Sequence, residues 1–117
     1  MTCRRGDVVL VIWPVRQTGG FEQRPAVIVQ SDAVAHELAT IPVVPLTSQI
    51  AKRDLDCACR IRVAPDAPAY AEMGLRTDTV ILVDQVGVVL DREIRKRIGT
   101  CPLMESIDAA LRHVLAL

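Results

Sequence analysis

The chain has 117 residues and equal numbers of basic and acidic side chains, so its formal net charge is zero. That length holds one hydrophobic core and is too short for two domains of ordinary size, and the charge balance excludes a protein that coats nucleic acid through bulk charge. Half the residues are hydrophobic but only 3% are aromatic, so the core must be built from Val, Ile, Leu and Ala, a composition that favours sheet over helical bundle.

Residues 8–13, opened by the turn pair Gly6-Asp7 and stopped by Pro14, form a β-branched run that predicts a buried strand. Residues 15–23 are polar and carry Gly19-Gly20, the composition of a loop. Two further runs of strand length, 26–29 and 41–46, are separated by a segment in which Ser31 or Asp32 can cap a single helical turn. Residues 49–56 are charged and polar and read as a second exposed loop. Arg60-Ile61-Arg62-Val63 alternates as a half-buried strand does, until Pro65 and Pro68 break the pattern. Residues 79–83 and 86–90, interrupted by Asp84-Gln85, are either two arms of a sheet pair or one bent strand. Asp91 then suits the cap of a short helix with Ile94 and Ile98 on one face and Gly99 as its stop. A second helix follows Pro102, with Ile107, Ala110, Leu111, Val114 and Leu115 at helical spacing. The expected architecture is one domain over residues 1–117, mainly β with C-terminal helices (α+β), its sheet strongly bent or rolled into a partly open barrel.

The apolar runs fall far short of the roughly 20 residues that cross a bilayer, and residues 1–6 lead into no signal-peptide pattern, so a cytoplasmic protein with no membrane partner is expected. In that compartment Cys3, Cys57, Cys59 and Cys101 are expected as free thiols. Cys57-Ala-Cys59 is not a CxxC pair, and His36 and His113 do not complete a tetrahedral zinc set, so no metal and no cofactor is expected. Charge is unevenly spread: residues 1–62 hold eight basic and six acidic side chains, and residues 63–117 hold six and eight. Any nucleic-acid site must therefore be local.

Three segments resemble, in order and at matching distances, the MazF/PemK family of toxins. They are Arg5-Gly6-Asp7-Val8-Val9, Glu22-Gln23-Arg24-Pro25-Ala26-Val27, and Ile41-Pro42-Val43-Val44-Pro45-Leu46-Thr47-Ser48. Gly74-Leu75, Val83-Asp84-Gln85 and residues 91–99 continue the likeness, which covers nearly the whole chain. In one departure Gln23 runs straight into Arg24, where family members often carry two or more residues between, and this shifts Glu22 relative to Arg24. The resemblance implies an SH3-like, partly open barrel of the fold shared by these and gyrase-poisoning toxins, paired into a homodimer. It also implies a sequence-specific, metal-independent endoribonuclease that cuts single-stranded messenger, ribosomal or transfer RNA to 2′,3′-cyclic phosphate and 5′-hydroxyl ends and so stops translation and growth. The implied partner is a cognate antitoxin with an acidic, disordered C-terminal tail, through which alone DNA would be engaged.

RNA can be cut without metal because its own 2′-hydroxyl can attack the adjacent phosphorus. A guanidinium such as Arg24 matches phosphate oxygens and stabilises the charge that develops on them, and a strand-end hydroxyl such as Thr47 holds one oxygen in place. By the resemblance these two are the catalytic pair. Glu22, Gln23, Ser48, Gln49, Lys52, Arg53 and Gln85 are expected as RNA contacts. Trp13, at the end of an apolar strand, reads as packing rather than as a base-stacking platform, His36 and His113 as surface residues, and Arg92, Arg95, Lys96 and Arg97 as a solvated helix face. Two rivals remain at this level: a gyrase-poisoning toxin acting by protein binding, which the C-terminal Val114-Leu115-Ala116-Leu117 lacks the tryptophan for, and a non-catalytic SH3-like binding module.

Overall fold

The β-branched runs form the centre of one open, seven-stranded antiparallel sheet in the computed structural model, which describes residues 3–15, 17–35, 37–49 and 57–117. Its strands are β1 (Asp7–Pro14), β2 (Phe21–Ile28), β3 (Thr40–Thr47), β4 (Arg60–Val63), β5 (Thr79–Leu82), β6 (Gly87–Leu90) and β7 (Ile94–Thr100). The order across the sheet is β4-β5-β3-β2-β1-β7, and β6 also pairs with β3.

Both faces of the central strands are covered. Val8, Val27, Val44, Leu46 and Ile81 are buried on one side with Met73, Ile107 and Ala110, while Val9, Val11, Ala26, Ile28, Val43, Val89 and Ile94 are buried on the other. A strand covered on both faces reads as a continuous apolar run instead of an alternation, which is the pattern of residues 8–13 and 41–46. Register shifts in the β1·β7 pair, between Val8/Val9 and Leu10/Val11, add local bends of the kind β-bulges produce.

Residues 79–90 form neither one continuous bent strand nor two arms paired with each other, but two strands that each pair with β3. β5 and β6 lie along the same edge of β3, Leu46 pairing with Ile81 and Val43 with Gly87, separated by the 3-10 turn Val83–Gln85. The single turn capped by Ser31 also forms: Asp32–Val34 is a 3-10 helix, and the Ser31 hydroxyl accepts from the Ala33 N–H. β2 begins earlier than expected, at Phe21, because its polar residues continue the backbone ladder to Trp13 and Pro14 of β1 while only Ala26 to Ile28 are buried. Hydrophobic patterning registers the buried half alone.

The helix expected over residues 91–99 is not there. Asp91–Glu93 is a 3-10 turn and Ile94–Thr100 is β7, paired along β1. Ile94 and Ile98 are four apart, a spacing that suits a helix, but here they serve opposite clusters, Ile94 with Val11 and Ile98 with Val8 and Met73. The open edge of β1 supplies the hydrogen-bond partners that decide the matter. Gly99 is not a helix stop either: an added Cβ would stand 2.4 Å from the Glu72 carbonyl oxygen, so the glycine permits a close backbone approach.

That approach involves α1 (Pro68–Glu72), a short helix where the prolines suggested only a break. Pro68 occupies its first turn, and Gly74 (φ +70) follows it in the left-handed region. Proline at the start and glycine just past the end mark a helix, and that pair was the available signal. The C-terminal helix, α2 (Met104–Leu115), forms as expected with Ile107 and Ala110 buried and Leu111 packed beside them, although Leu115 is exposed. Asp108 ties α2 to Arg5, whose backbone N–H donates to Asp32 at 2.9 Å.

The expectation of free thiols holds for Cys3 and Cys101 and fails for the other two cysteines. Cys57 and Cys59 form a disulfide across a tight turn in which the Arg60 N–H donates to the Cys57 carbonyl. Their Cα atoms are 5.2 Å apart, within bonding geometry. The compartment argument says nothing about such local closeness, which the turn creates.

Candidate active site

β2 begins and β3 ends on the same side of the sheet, and the paired register Val27↔Val44 and Ala26↔Pro45, carried two residues further, sets Arg24 opposite Thr47. Residues that share a register position also share a face, and Arg24 and Thr47 both line one groove. The Arg24 side chain is held on two sides: Nη2 donates to the Leu46 carbonyl at 3.3 Å, and Nε lies 3.5 Å from Glu22 Oε1. Nη1 has no protein partner among the described residues. The Thr47 hydroxyl oxygen accepts from the Gln49 N–H at 3.1 Å, which leaves its own proton available for donation.

Two grooves meet at this point. The larger, about 1060 Å³, is lined by Glu22, Gln23, Arg24, Thr47, Ser48 and Gln49 on one wall, over a floor that includes Leu10 and Pro25. The smaller, about 710 Å³, runs along Trp13, Asp84, Gln85 and Val88, and it shares Glu22 and Arg24 with the first. Asp84 is held by both Arg60 nitrogens at 3.0 and 3.1 Å, and these hydrogen bonds keep its carboxyl below the usual carboxylate range. The fold thus brings six of the expected site residues to one groove and Gln85 to its neighbour. Lys52 and Arg53, like His36, lie outside the described residues.

The family model for PemK-like, MazF-like toxins of type II toxin-antitoxin systems matches residues 4–115. The chain belongs to this family. No curated protein matches it in sequence. Its fold is that of solved PemK/MazF toxins. It superposes on an endoribonuclease in complex with its cognate antitoxin from a mycobacterial species with a TM-score of 0.72, at 21% identity over 98% of this chain and 96% of that one. For MazE-MazF (form III) from Deinococcus radiodurans the TM-score is 0.74, at 18% identity over 100% and 99%. For the Mycobacterium tuberculosis toxin MazF-mt6 it is 0.68, at 18% identity over 93% and 97%.

In this PemK/MazF toxin the shortened connection between Glu22 and Arg24 does not separate them. Both stand on β2, and a salt bridge joins them. Sequence reasoning missed polar residues of the larger groove, Gln17, Arg76, Thr77, Thr79, Lys96 and Arg97. Lys96 and Arg97 were assigned to a helix face, and as part of β7 they reach the groove instead. Arg97 donates to Asp7 at 3.0 Å and also to the Thr100 hydroxyl. Trp13 packs as expected against the protein, its indole edge so near Gly87 that an added Cβ there would stand 2.7 Å away. The indole also lines the smaller groove.

Proposed function

We propose that this toxin is a metal-independent endoribonuclease in which Arg24 and Thr47 carry the chemistry. What supports the reading above all is that β2 and β3 bring these two side chains to one groove, with Arg24 Nη1 left without a protein partner among the described residues. The 2′-oxygen attacks phosphorus as its proton is lost to solvent, the bond to the 5′-oxygen breaks and that oxygen takes up a proton from solvent, so the products are a 2′,3′-cyclic phosphate and a 5′-hydroxyl. Arg24 stabilises charge gathering on the non-bridging oxygens, with Glu22 orienting its fork, and Thr47 donates to one of those oxygens. This donor set answers a phosphorane with fixed cationic and hydroxyl donors, where a two-metal nuclease would gather carboxylates.

Gln23, Ser48 and Gln49 border the reacting phosphate, and Gln85, in the adjoining groove, is placed to meet a base edge. Single-stranded RNA is the substrate of this reading, since unpaired bases can be splayed out to meet side chains in a groove and those of a duplex stay paired. The cognate antitoxin acts by occupancy: carboxylates of an acidic tail compete for the donors that hold phosphate. The test is to incubate purified protein with a long RNA in excess chelator and map the cut ends. Cyclic-phosphate termini under chelation are expected. Activity that vanishes and returns only with added magnesium or zinc would overturn the mechanism.

A further inference from the structure

Two cations of the larger groove stand apart from the rest. Arg24 is engaged by Glu22 and Arg97 by Asp7, whereas Arg76 and Lys96 are exposed and have no ion pair among the described residues. Among those residues, Glu22 is the sole acidic side chain along the groove. A chain of zero net charge therefore concentrates uncompensated positive charge on one wall, the local arrangement that a polyanion requires.

Backbone contacts fix the two cations relative to each other. Gly74 abuts β7 so closely that an added Cβ would stand 2.1 Å from the Ile98 carbonyl oxygen. Arg76 comes two residues after that contact on its strand-ward segment, and Lys96 two residues before it on β7. Lys96 pairs with Leu10, and Leu10 pairs in turn with Pro25, the neighbour of Arg24. Two interstrand spacings set the Lys96 backbone on the order of 10 Å from that of Pro25. Arg24, one residue away, alternates to the other face of β2, and it is the groove that both Arg24 and Lys96 line that brings a neighbouring phosphate of the same strand within reach of Lys96.

The geometry points to a second phosphate-binding subsite, formed by Arg76 and Lys96, that grips single-stranded RNA beside the reacting phosphate and so positions it. The inference rests on the endoribonuclease reading and names further residues for it. Arg76 and Lys96 are positioning residues: they raise affinity through the backbone and carry no base information.

The test compares the parent with Arg76→Gln, Lys96→Gln and the double variant in RNA cleavage. Binding is measured separately in the Arg24→Ala background against salt concentration. For the double variant KM rises about tenfold with kcat within about twofold, and the slope of log affinity against log salt falls by about 0.7, the change for the one phosphate no longer neutralised. Arg76→Lys, which keeps the charge, retains the parent KM, and Arg112→Gln on the exposed part of α2 changes neither quantity. Unchanged KM and slope in a double variant whose parent cuts RNA would overturn the subsite and leave the endoribonuclease reading standing. A parent that cuts no RNA, or an Arg24→Ala variant that still cuts, fails that reading instead. A fall in kcat at constant KM would move the pair into the chemistry and overturn a positioning role. Intact RNA binding with weakened binding of an acidic antitoxin peptide would overturn the subsite and assign the wall to the antitoxin.

Discussion

Arg24 is buried enough to be fixed and exposed enough to act: its side chain is 20% accessible, against 50% for the Glu22 that orients it. Arg24→Ala removes one hydrogen bond to a carbonyl and one partly solvated ion pair, a loss of about 1 kcal/mol, while cleavage falls to background. Thermal unfolding and an RNA-cleavage assay on the same preparation check both halves, and a cleaving variant would remove Arg24 from the site. Thr47→Ala is expected to cut activity strongly and Thr47→Ser to restore most of it, since the donor is the hydroxyl. At the free cysteines, burial above all raises the thiol pKa of both Cys101 and Cys3, the latter also facing Asp7 and Asp91. Thiolate is the reactive form, so alkylation of the native protein at neutral pH should be slow at both, with Cys101 labelled only on unfolding. Mass spectrometry of labelled peptides reads this directly, and rapid native labelling of Cys101 would contradict its burial.

Elements here depend on a few close approaches. Gly74 combines a left-handed backbone with contact against Ile98, so Gly74→Ala should destabilise by about 2 kcal/mol or more, because strain and clash add. Ile107 is fully buried on α2, and Ile107→Ala should cost about 2–5 kcal/mol through the cavity it leaves. Denaturant titration measures each, and a cost under half a kcal/mol would mean the helix is not packed as described. The turn between β5 and β6 is pinned by the Arg60–Asp84 pair. The Asp84 carboxyl is depressed in the folded state, so its contribution to stability is present above the ordinary carboxylate pKa of about 4 and is lost as pH falls through the lower folded value. Melting temperatures from neutral pH downward should therefore drop below about pH 4, and the drop should be smaller in Asp84→Asn.

At the scale of the molecule, the salient arrangement is that residues at the start of β2 and the end of β3 line the grooves, Glu22 and Arg24 both of them and Thr47 the larger. An antitoxin tail that lies along these grooves meets Arg24 and the cationic wall together. Bound as a synthetic peptide to the Arg24→Ala protein, it should be displaced by a non-cleavable RNA analogue. If peptide and RNA bind together without weakening each other, blockade by occupancy is wrong. The expected homodimer is checked by sedimentation equilibrium at micromolar concentration, where a purely monomeric protein would refute it.

Much of this was legible in the residues themselves. The continuous Val-rich runs fix β1 and β3, because only a strand covered on both faces tolerates such a sequence, and the helical spacing of Ile107, Ala110 and Leu111 fixes α2. The ordered segments around Arg24 and Thr47 pointed to the family through residue identity, which needs no coordinates. The tertiary structure decided what depends on pairing across distance. β7 is a strand because the free edge of β1 offers hydrogen bonds that outweigh a helical spacing, and that choice turns Lys96 toward the groove. The Cys57–Cys59 bond and the closeness of Gly74 to Ile98 arise from turns and packing that no periodicity records. Arg24 and Thr47 line one groove for the same reason: antiparallel register brings together strands far apart along the chain, and the energy of that register is spread over the whole sheet.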